Sequence, residues 1–207
     1  VNINVQVIER WYIYPRPVFK WIDRNLNEWF KTYNASLTRV DYGVKLTHYN
    51  LSGRRDQLSI YLINGYTQNI SVNYNNPYSN KKLTKGFSIG GGYLQKRELP
   101  IKTDNKDSLI FYPSNPVIKS KNEFLYKNWF VHAGYTIRRG FFTKHIFTAN
   151  YNYIKIPDSV ITAPYNKNYF KDSVSSKGII DFIYKLQYAN VNNGSYPLTG
   201  KTWFASL

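Results

Sequence analysis

Apolar and polar residues alternate along most of this chain, in segments that turn-forming sequences separate. The most regular segments are 66–76, 145–154 and 180–188. A period of two residues predicts β-strands, because successive side chains of a strand point to opposite faces. Less regular segments of the same kind occupy 42–49, 57–65, 84–95, 126–138 and 198–207.

Strand length distinguishes between two all-β architectures for these segments. A soluble antiparallel sandwich also alternates apolar and polar residues, but its strands are typically ~5–6 residues long. Several segments here span ~10–12 residues, the length that crosses a bilayer at a tilt. The pattern therefore favours a transmembrane antiparallel β-barrel. The predicted lipid-facing residues are Ile70, Val72, Tyr74, Phe147, Tyr151, Tyr153, Phe182, Tyr184, Leu186 and Tyr188.

The connections alternate between short turns and long polar stretches. Those with compact Gly, Asn or Pro turn chemistry are 50–56, 75–82, 139–144 and 191–200, and the long ones are 97–125 and 157–177. Outer-membrane barrels have short periplasmic turns and longer extracellular loops. The strand order places the short and long connections at opposite ends, with one exception. The connection between 57–65 and 66–76 is a short turn on the long-loop side.

The N-terminal part of the chain is less regular. Residues 1–10 alternate cleanly and predict a half-buried strand. Residues 11–17 contain two prolines and three aromatic residues, which predicts a stiff, non-helical connection. Two interpretations of 18–33 stay open. We favour a short strand followed by a loop, and the alternative is an interfacial helix whose apolar face contains Trp21, Ile22, Leu26, Trp29, Phe30 and Tyr33.

Composition agrees with a strand-rich envelope protein, but the charge needs an explanation. Aromatic residues make up 18% of the 207 residues, and barrels place such residues in interfacial girdles. The net charge of +16 raises the question of nucleic-acid binding. We expect no nucleic-acid partner, because the basic residues are dispersed and form no arginine-rich arm. A basic lumen, or basic loops that face anionic lipopolysaccharide, accounts for the charge instead.

No catalytic or metal-binding constellation is present in the sequence. His48, His132 and His145 are isolated and lack the spacing of a metal site. The run Gly90-Gly91-Gly92 lacks the context of a phosphate-binding loop. Inside a strand it predicts a kink, a bulge or close packing. We therefore expect no enzyme activity, no metal and no cofactor.

Several short motifs resemble those of a known protein family. They are NLSGR between two strands (50–54, within 42–62), NPY after a strand (76–78, within 70–82), the block 158–170 followed by 184–207 with its YPLTG turn (196–200), and the segment 1–15. In their order and strand-length spacing they resemble the BamA/TamA-type outer-membrane assembly factors of the bacterial surface antigen family. The resemblance covers nearly the whole chain.

The resemblance implies a sixteen-stranded barrel, of which this chain covers about eight or nine strands. It implies that 1–10 is the last strand of a POTRA-like periplasmic domain and that 11–34 holds the linker and the first barrel strand or an interfacial segment. Residues 35–207 are then the N-terminal half of the barrel. The implied periplasmic turn residues are Asn50, Gly53, Arg54, Asn76, Pro77, Tyr78, Tyr196, Pro197 and Gly200.

The resemblance also implies a function. Members of the family fold client β-barrels into the outer membrane through a lateral seam. The first strand of that seam is implied here at Val18, Phe19, Lys20, Trp21, Ile22 and Asp23. The implied partners are unfolded outer-membrane protein clients, outer-membrane lipid and lipopolysaccharide, and accessory envelope lipoproteins. The implied location is the bacterial outer membrane, with the N-terminal segment in the periplasm.

Three other functional classes remain as alternatives. A related secretion pore would pass a partner protein through its lumen. A passive porin-like channel would have no POTRA-like strand before the barrel, so the alternation of 1–10 argues against it. A soluble lectin-like sandwich would bury its Tyr and Phe faces and would need no detergent.

Overall fold

The fold is taken from a computed structural model, which describes residues 11–22, 26–31, 34–103, 109–112, 123–162, 166–171 and 173–207 and the single residues 4, 6 and 8. The strands are β1 Ile13–Trp21, β2 Val40–Tyr49, β3 Gln57–Gly65, β4 Thr67–Asn76, β5 Lys85–Lys96, β6 Leu99–Thr103, β7 Leu109–Tyr112, β8 Tyr126–Arg139, β9 Thr143–Lys155, β10 Ser176–Val191 and β11 Gly200–Ser206. The described residues also include one α-helix, α1, at Leu26–Lys31, and 3-10 helices at Leu37–Arg39 and Asp158–Ile161. Among the described residues, no helix is long and apolar enough to cross a membrane.

Nine of the strands form one sheet in which each strand pairs with its neighbours along the chain. The order is β1-β2-β3-β4-β5-β8-β9-β10-β11, and β6 and β7 form a separate hairpin. Every pairing in the nine-stranded sheet is antiparallel. Sequential antiparallel pairing of this kind is typical of up-and-down barrels. The predicted all-β antiparallel fold is confirmed, and so is the predicted count of eight or nine strands.

The alternating segments predict the strand positions well, because the alternation follows directly from the pleat of a strand. Segment 57–65 coincides with β3. The largest difference is in β10, which is 16 residues long and extends beyond 180–188 at both ends. Ile179 and Ile180 are both apolar, so they interrupt the alternation within this strand.

The structure corrects three predictions in the less regular segments. Residues 13–17, predicted as part of a connection, form the first half of β1. Residues 26–31, where a loop is the favoured prediction, form the short helix α1. The long connection 97–125 contains the β6–β7 hairpin, whose strands are too short for the alternation to reveal them. The strand predicted for 1–10 lies outside the described residues, apart from positions 4, 6 and 8.

The register assigns each strand residue to one of two faces. Cross-strand partners project on the same face of an antiparallel sheet. One row, which defines the apolar face, is Leu62, Ile70, Tyr93, Trp129 and Tyr153. The adjacent row, which defines the polar face, is Tyr61, Ser71, Gly92, Phe130 and Asn152.

Side-chain exposure differs between the two faces in a way that indicates curvature. Phe182 on the apolar face is 78% exposed, whereas Ser71 on the polar face is 4% exposed. A sheet that curls with its polar face inside has this distribution, because side chains converge on the inside and diverge on the outside.

Glycine permits close packing on the polar face. A Cβ atom at Gly90 would lie 2.5 Å from Cε1 of the His132 ring and would also meet the side chain of Asn73. A Cβ at Gly92 would meet Ser71. Of the alternatives predicted for the glycine run, close packing is therefore the one that the structure has.

The connections lie at two ends of the sheet, here named the short-turn end and the long-loop end. The short-turn end carries the connections 50–56, 77–84, 140–142 and 192–199, and the long-loop end carries 22–39, 66, 97–125 and 156–175. The predicted separation of short and long connections is confirmed. The connection between β3 and β4 consists of Tyr66 alone. It is the short turn that was predicted as an exception at the long-loop end.

A small hydrophobic cluster joins two of the long connections. Its buried members are Leu99 and Ile101 of β6 together with Ile156 and Val160. The side-chain amide of Asn166 donates to the Ile101 carbonyl at 2.6 Å. The cluster therefore fixes the β6–β7 hairpin against the connection that follows β9.

Candidate functional site at the free edge of strand β1

Strand β1 is an edge of the nine-stranded sheet. It pairs with β2 from Ile13↔His48 to Trp21↔Val40 and, within the described part of the chain, with no other strand. An edge strand presents a row of unpaired N–H and C=O groups. The seam residues implied by the resemblance lie here, since Val18, Phe19, Lys20 and Trp21 belong to β1 and Ile22 follows it. Asp23 lies outside the described residues.

Two hydrogen bonds just beyond the ends of β1 determine which backbone groups face outward. The Tyr49 N–H donates to the Tyr12 carbonyl at 2.8 Å, and the Ile22 N–H donates to the Arg39 carbonyl at 3.2 Å. Hydrogen-bonded and non-hydrogen-bonded pairs alternate along an antiparallel ladder, and the register between the two bonds is unbroken. Even-numbered residues of β1 therefore bond to β2, whereas odd-numbered residues direct their N–H and C=O groups to the free edge.

Both prolines of β1, Pro15 and Pro17, are at odd positions. A proline at an even position would remove a hydrogen bond to β2, but at an odd position it removes only an outward N–H. This explains why the strand continues through two prolines and why the connection predicted for 11–17 is wrong. The pattern of prolines is the one expected for an edge strand.

The implied seam residues divide according to the same alternation. Phe19 and Trp21 direct both an N–H and a C=O to the free edge, whereas Val18 and Lys20 bond to β2. Which residues of β1 bond to β2 depends on the register between the two strands. Sequence alone therefore does not reveal this division.

Helix α1 packs against the apolar face of β1 at the long-loop end. Trp29 is 8% exposed, and its ring centroid lies 6.3 Å from that of Phe19, edge to face. The indole N–H of Trp29 donates to the Ser36 carbonyl at 3.0 Å. The neighbouring Phe30 is 57% exposed. Trp29 thus contacts the edge strand directly.

An ion pair joins the connection after β1 to the connection after β5. The Arg39 guanidinium lies 2.6 Å from Oε1 of Glu98, and the Tyr66 hydroxyl donates to Oε2 of Glu98 at 3.1 Å. Burial, together with the adjacent Glu98 carboxylate, raises the pKa of Tyr66 and keeps it a donor. The Arg97 side chain donates to the Gly65 carbonyl at 2.9 Å. This network fixes the long-loop end of the β1–β2 pair, and no local sequence signal reveals a pair 59 positions apart.

A buried carboxylate organises the first turn at the short-turn end. Asp56 is fully buried and accepts hydrogen bonds from the Ser52 N–H at 2.9 Å and from the Tyr74 hydroxyl at 2.8 Å. Burial opposes the charged form, but the hydrogen bonds outweigh it and hold the pKa of Asp56 below its usual value. No local sequence motif marks Asp56, because its aromatic partner Tyr74 lies on another strand.

The predicted turn residues all lie at the short-turn end. The Asn50 side chain accepts from the Arg55 N–H at 2.9 Å, and the Asn76 side chain accepts from the Tyr78 N–H at 3.1 Å. The nine residues are Asn50, Gly53 and Arg54 in the first turn, Asn76, Pro77 and Tyr78 in the second, and Tyr196, Pro197 and Gly200 in the last. That this end faces the periplasm stays a prediction.

The ten predicted lipid-facing residues share one face of the sheet. They are Ile70, Val72 and Tyr74 of β4, Phe147, Tyr151 and Tyr153 of β9, and Phe182, Tyr184, Leu186 and Tyr188 of β10. Their rings form cross-strand contacts, with 5.0 Å between the centroids of Phe147 and Tyr184. Contact of this face with lipid stays a prediction.

The polar face is strongly basic. By the register its strands carry Arg16, Lys20, Lys45, Lys96, Arg138, Lys144, Lys177 and Lys185, against Asp41 and Asp181. Arg16 and Lys45 are direct cross-strand partners. Like charges opposite each other oppose strand pairing, so this face requires screening by water or by anions.

The three histidines lie apart from one another. His132 packs over Gly90 on the polar face, and Nδ1 of His145 lies 2.8 Å from the Tyr184 hydroxyl. His48 lies in β2, directly opposite Ile13 of β1. In the described part of the chain, no cluster of His, Asp and Glu is able to hold a metal ion.

Comparisons with known proteins show the fold. No family model matches the chain, and no curated protein matches it either. Among solved structures, the chain is similar to BamA from Haemophilus ducreyi, crystallised without POTRA domains 1–3. The identity is 14% and the TM-score 0.51, over 96% of this chain and 34% of that one. This chain thus spans about a third of that BamA chain and has the fold of a BamA-type β-barrel.

Proposed function

We propose that the intact protein folds β-barrel proteins into the bacterial outer membrane and that β1 is the strand of its lateral seam that captures them. The observation that carries the proposal is the pair of prolines, Pro15 and Pro17, at outward positions of β1, as an edge strand requires, in a sheet with the fold of a BamA-type barrel. The chain motifs resemble the same family at the turns that flank β3 and β4.

The driving force for capture is backbone hydrogen bonding. In the hydrocarbon region each unpaired N–H or C=O group costs several kcal/mol. A strand that adds to a free edge satisfies those groups on both partners, which is the mechanism of β-augmentation. The process needs neither ATP nor a metal.

The proposed orientation follows from the two ends of the sheet. The apolar face contacts outer-membrane lipid, and the short-turn end and the N-terminal segment lie in the periplasm, since barrels carry their short turns on that side. The long-loop end then faces outward. Basic residues there, such as Lys167 and Lys171, are suited to anionic lipopolysaccharide by charge attraction.

The proposed partners are unfolded outer-membrane β-barrel chains. Their strands expose alternating faces and unpaired backbone groups before insertion, which are the features that a free edge recognises. Accessory envelope lipoproteins are proposed as further partners because of the family resemblance.

Depletion in cells tests the proposed function. Conditional depletion of the protein is expected to lower the levels of several unrelated outer-membrane β-barrels together, and the intact gene supplied in trans is expected to restore them. If every other barrel stays at its normal level after depletion, the assembly function is wrong, although the barrel fold is unaffected.

A transport pore is the second candidate, and the basic polar face favours it. If that face encloses a water-filled lumen, its charges are solvated and attract anionic solutes or segments. Depletion would then lower the export of one protein, or the uptake of small anions, and leave other barrels unchanged.

A further inference from the structure

The prolines divide the free edge of β1 into two unlike halves. Odd-numbered residues point outward, so Phe19 and Trp21 each offer an N–H and a C=O. Pro15 and Pro17 offer a C=O only, since proline has no N–H. We name residues 19–21 the donor half and residues 13–17 the proline half. Ile13 has an outward N–H, but both prolines separate it from the donor half.

We infer that an incoming strand of a client β-barrel pairs with the donor half of β1 and leaves the proline half unpaired. The inference rests on the proposed function, because it concerns the same edge, and it specifies where on that edge the client binds. The partner must therefore be held by a ladder much shorter than β1 itself.

The reason is the balance of donors and acceptors in lipid. A strand that pairs along the whole of β1 would direct two carbonyls at Pro15 and Pro17, where no N–H is available. Unpaired carbonyls are unfavourable in hydrocarbon, and the proline rings also occupy the space that the partner backbone needs. Pairing at residues 19–21 has neither penalty. The carbonyls of the proline half that stay unpaired lie at the short-turn end, where water satisfies them if that end is periplasmic, as proposed.

The surroundings of the two halves agree with this division. The donor half lies beside α1, where Trp29 packs on Phe19, and it is fixed to β2 by the Ile22–Arg39 bond. The proline half lies at the short-turn end. If the short-turn end is periplasmic, as proposed, the proline half stays unpaired at the end from which clients arrive. The client strand then pairs with the donor half, at the long-loop end.

Photo-crosslinking in the full-length protein tests the inference. A photoreactive amino acid is placed at Ile13 or at Trp21, which face the same side of β1 and are 48% and 42% exposed. Cells also express a client barrel arrested during insertion. We expect client adducts from position 21 to exceed those from position 13 at least about fivefold, a ratio that the loss of one or two hydrogen bonds produces.

Two sets of variants separate the missing donors from other effects. The double substitution Pro15→Ala and Pro17→Ala restores both outward N–H groups, so adducts from position 13 are expected to rise to the level of position 21. Phe19→Pro removes an outward N–H without losing a bond to β2 and is expected to abolish adducts from position 21. Phe19→Ala is its matched control, because it removes the same ring but keeps the N–H.

The outcomes distinguish this inference from the proposed function. Equal client adducts from both positions, or adducts from position 13 that the alanine variant leaves unchanged, would overturn the inference while the capture function stands. Adducts confined to position 21 but formed only with another strand of the same protein would support the proline effect and contradict client capture. No adduct at either position would overturn both.

Discussion

Asp56 is a residue whose charge stabilises local structure. It is buried at the short-turn end, where the Ser52 N–H donates to both carboxylate oxygens at 2.9 and 3.1 Å and Tyr74 joins the turn to β4. A buried carboxylate is unfavourable unless hydrogen bonds satisfy it. The lowered pKa of Asp56 indicates that they do.

We expect Asp56→Asn to destabilise the protein by about 1–3 kcal/mol, because one amide cannot accept all of these hydrogen bonds and buried donors lose their partner. The measurement is the midpoint of denaturant-induced unfolding in detergent. The exposed Asp158 provides the matched control, and Asp158→Asn is expected to leave the midpoint unchanged. An equal effect of the two substitutions would contradict the role of Asp56.

The same residue predicts a pH dependence. Because the pKa of Asp56 is lower in the folded state, its stabilisation is fully present above the unfolded pKa of about 3.9. It is lost as the pH falls through the folded value. The difference in stability between the wild-type protein and Asp56→Asn is therefore expected to shrink in the acid range below about pH 4. A difference that is constant with pH would show that the charge is not involved.

At the scale of elements, helix α1 is expected to depend on one contact. Trp29 is buried between Phe19 and the Ser36 carbonyl, whereas Phe30 is mostly exposed. Trp29→Ala should release the helix from β1, so trypsin should cleave after Lys31 roughly tenfold faster, as local unfolding becomes easier. Phe30→Ala is the control and should have little effect. Equal cleavage of both variants would show that Trp29 does not fix α1.

The elements also show what the sequence could and could not predict. Strands β4 and β9 were predictable, because each has a regular period of two residues. Strand β1 was predicted only in its second half, since prolines normally exclude a strand and become acceptable only where the N–H faces outward. Which N–H groups of β1 face outward depends on its pairing with β2, and this pairing is not a local property of the sequence.

The candidate site was predictable to a similar extent. The turn motifs correctly predicted which residues lie at the short-turn end of the sheet, because turn formation depends on residues that are neighbours in sequence. The Arg39–Glu98–Tyr66 network and the Asp56–Tyr74 contact were not predicted. Both join residues that are distant in sequence, so they follow only from the order and register of the strands.

At the scale of the whole molecule, the two faces of the sheet explain the unusual composition. Most of the aromatic and aliphatic residues within the strands lie on the apolar face, and most of the lysines and arginines within the strands lie on the polar face. The basic residues that lie on the apolar face are at the ends of strands, so the middle of that face carries no charge. They are Lys85, Lys127, Arg139, Lys155 and Lys201. A membrane outside the sheet and water inside it would satisfy both faces at once.

Strand β10 provides the most direct test of that arrangement. Its register places Ile180, Phe182, Tyr184 and Leu186 on the apolar face and Asp181, Ile183, Lys185 and Gln187 on the polar face. Ile183 is the informative position, because it is an apolar residue on the polar face. The 207 residues contain no cysteine, so single cysteines here can carry spin labels without a background from this part of the protein.

The decisive measurement is the accessibility of these spin labels to oxygen and to a water-soluble nickel chelate, in the full-length protein reconstituted into liposomes. A barrel with its apolar face in the lipid predicts a period of two residues along β10. Labels at even positions are expected to be accessible to oxygen in the lipid, and labels at odd positions, including 183, to the chelate. Labels that are all accessible to the chelate, or that show no alternation, would contradict a membrane-spanning barrel with this face in the lipid.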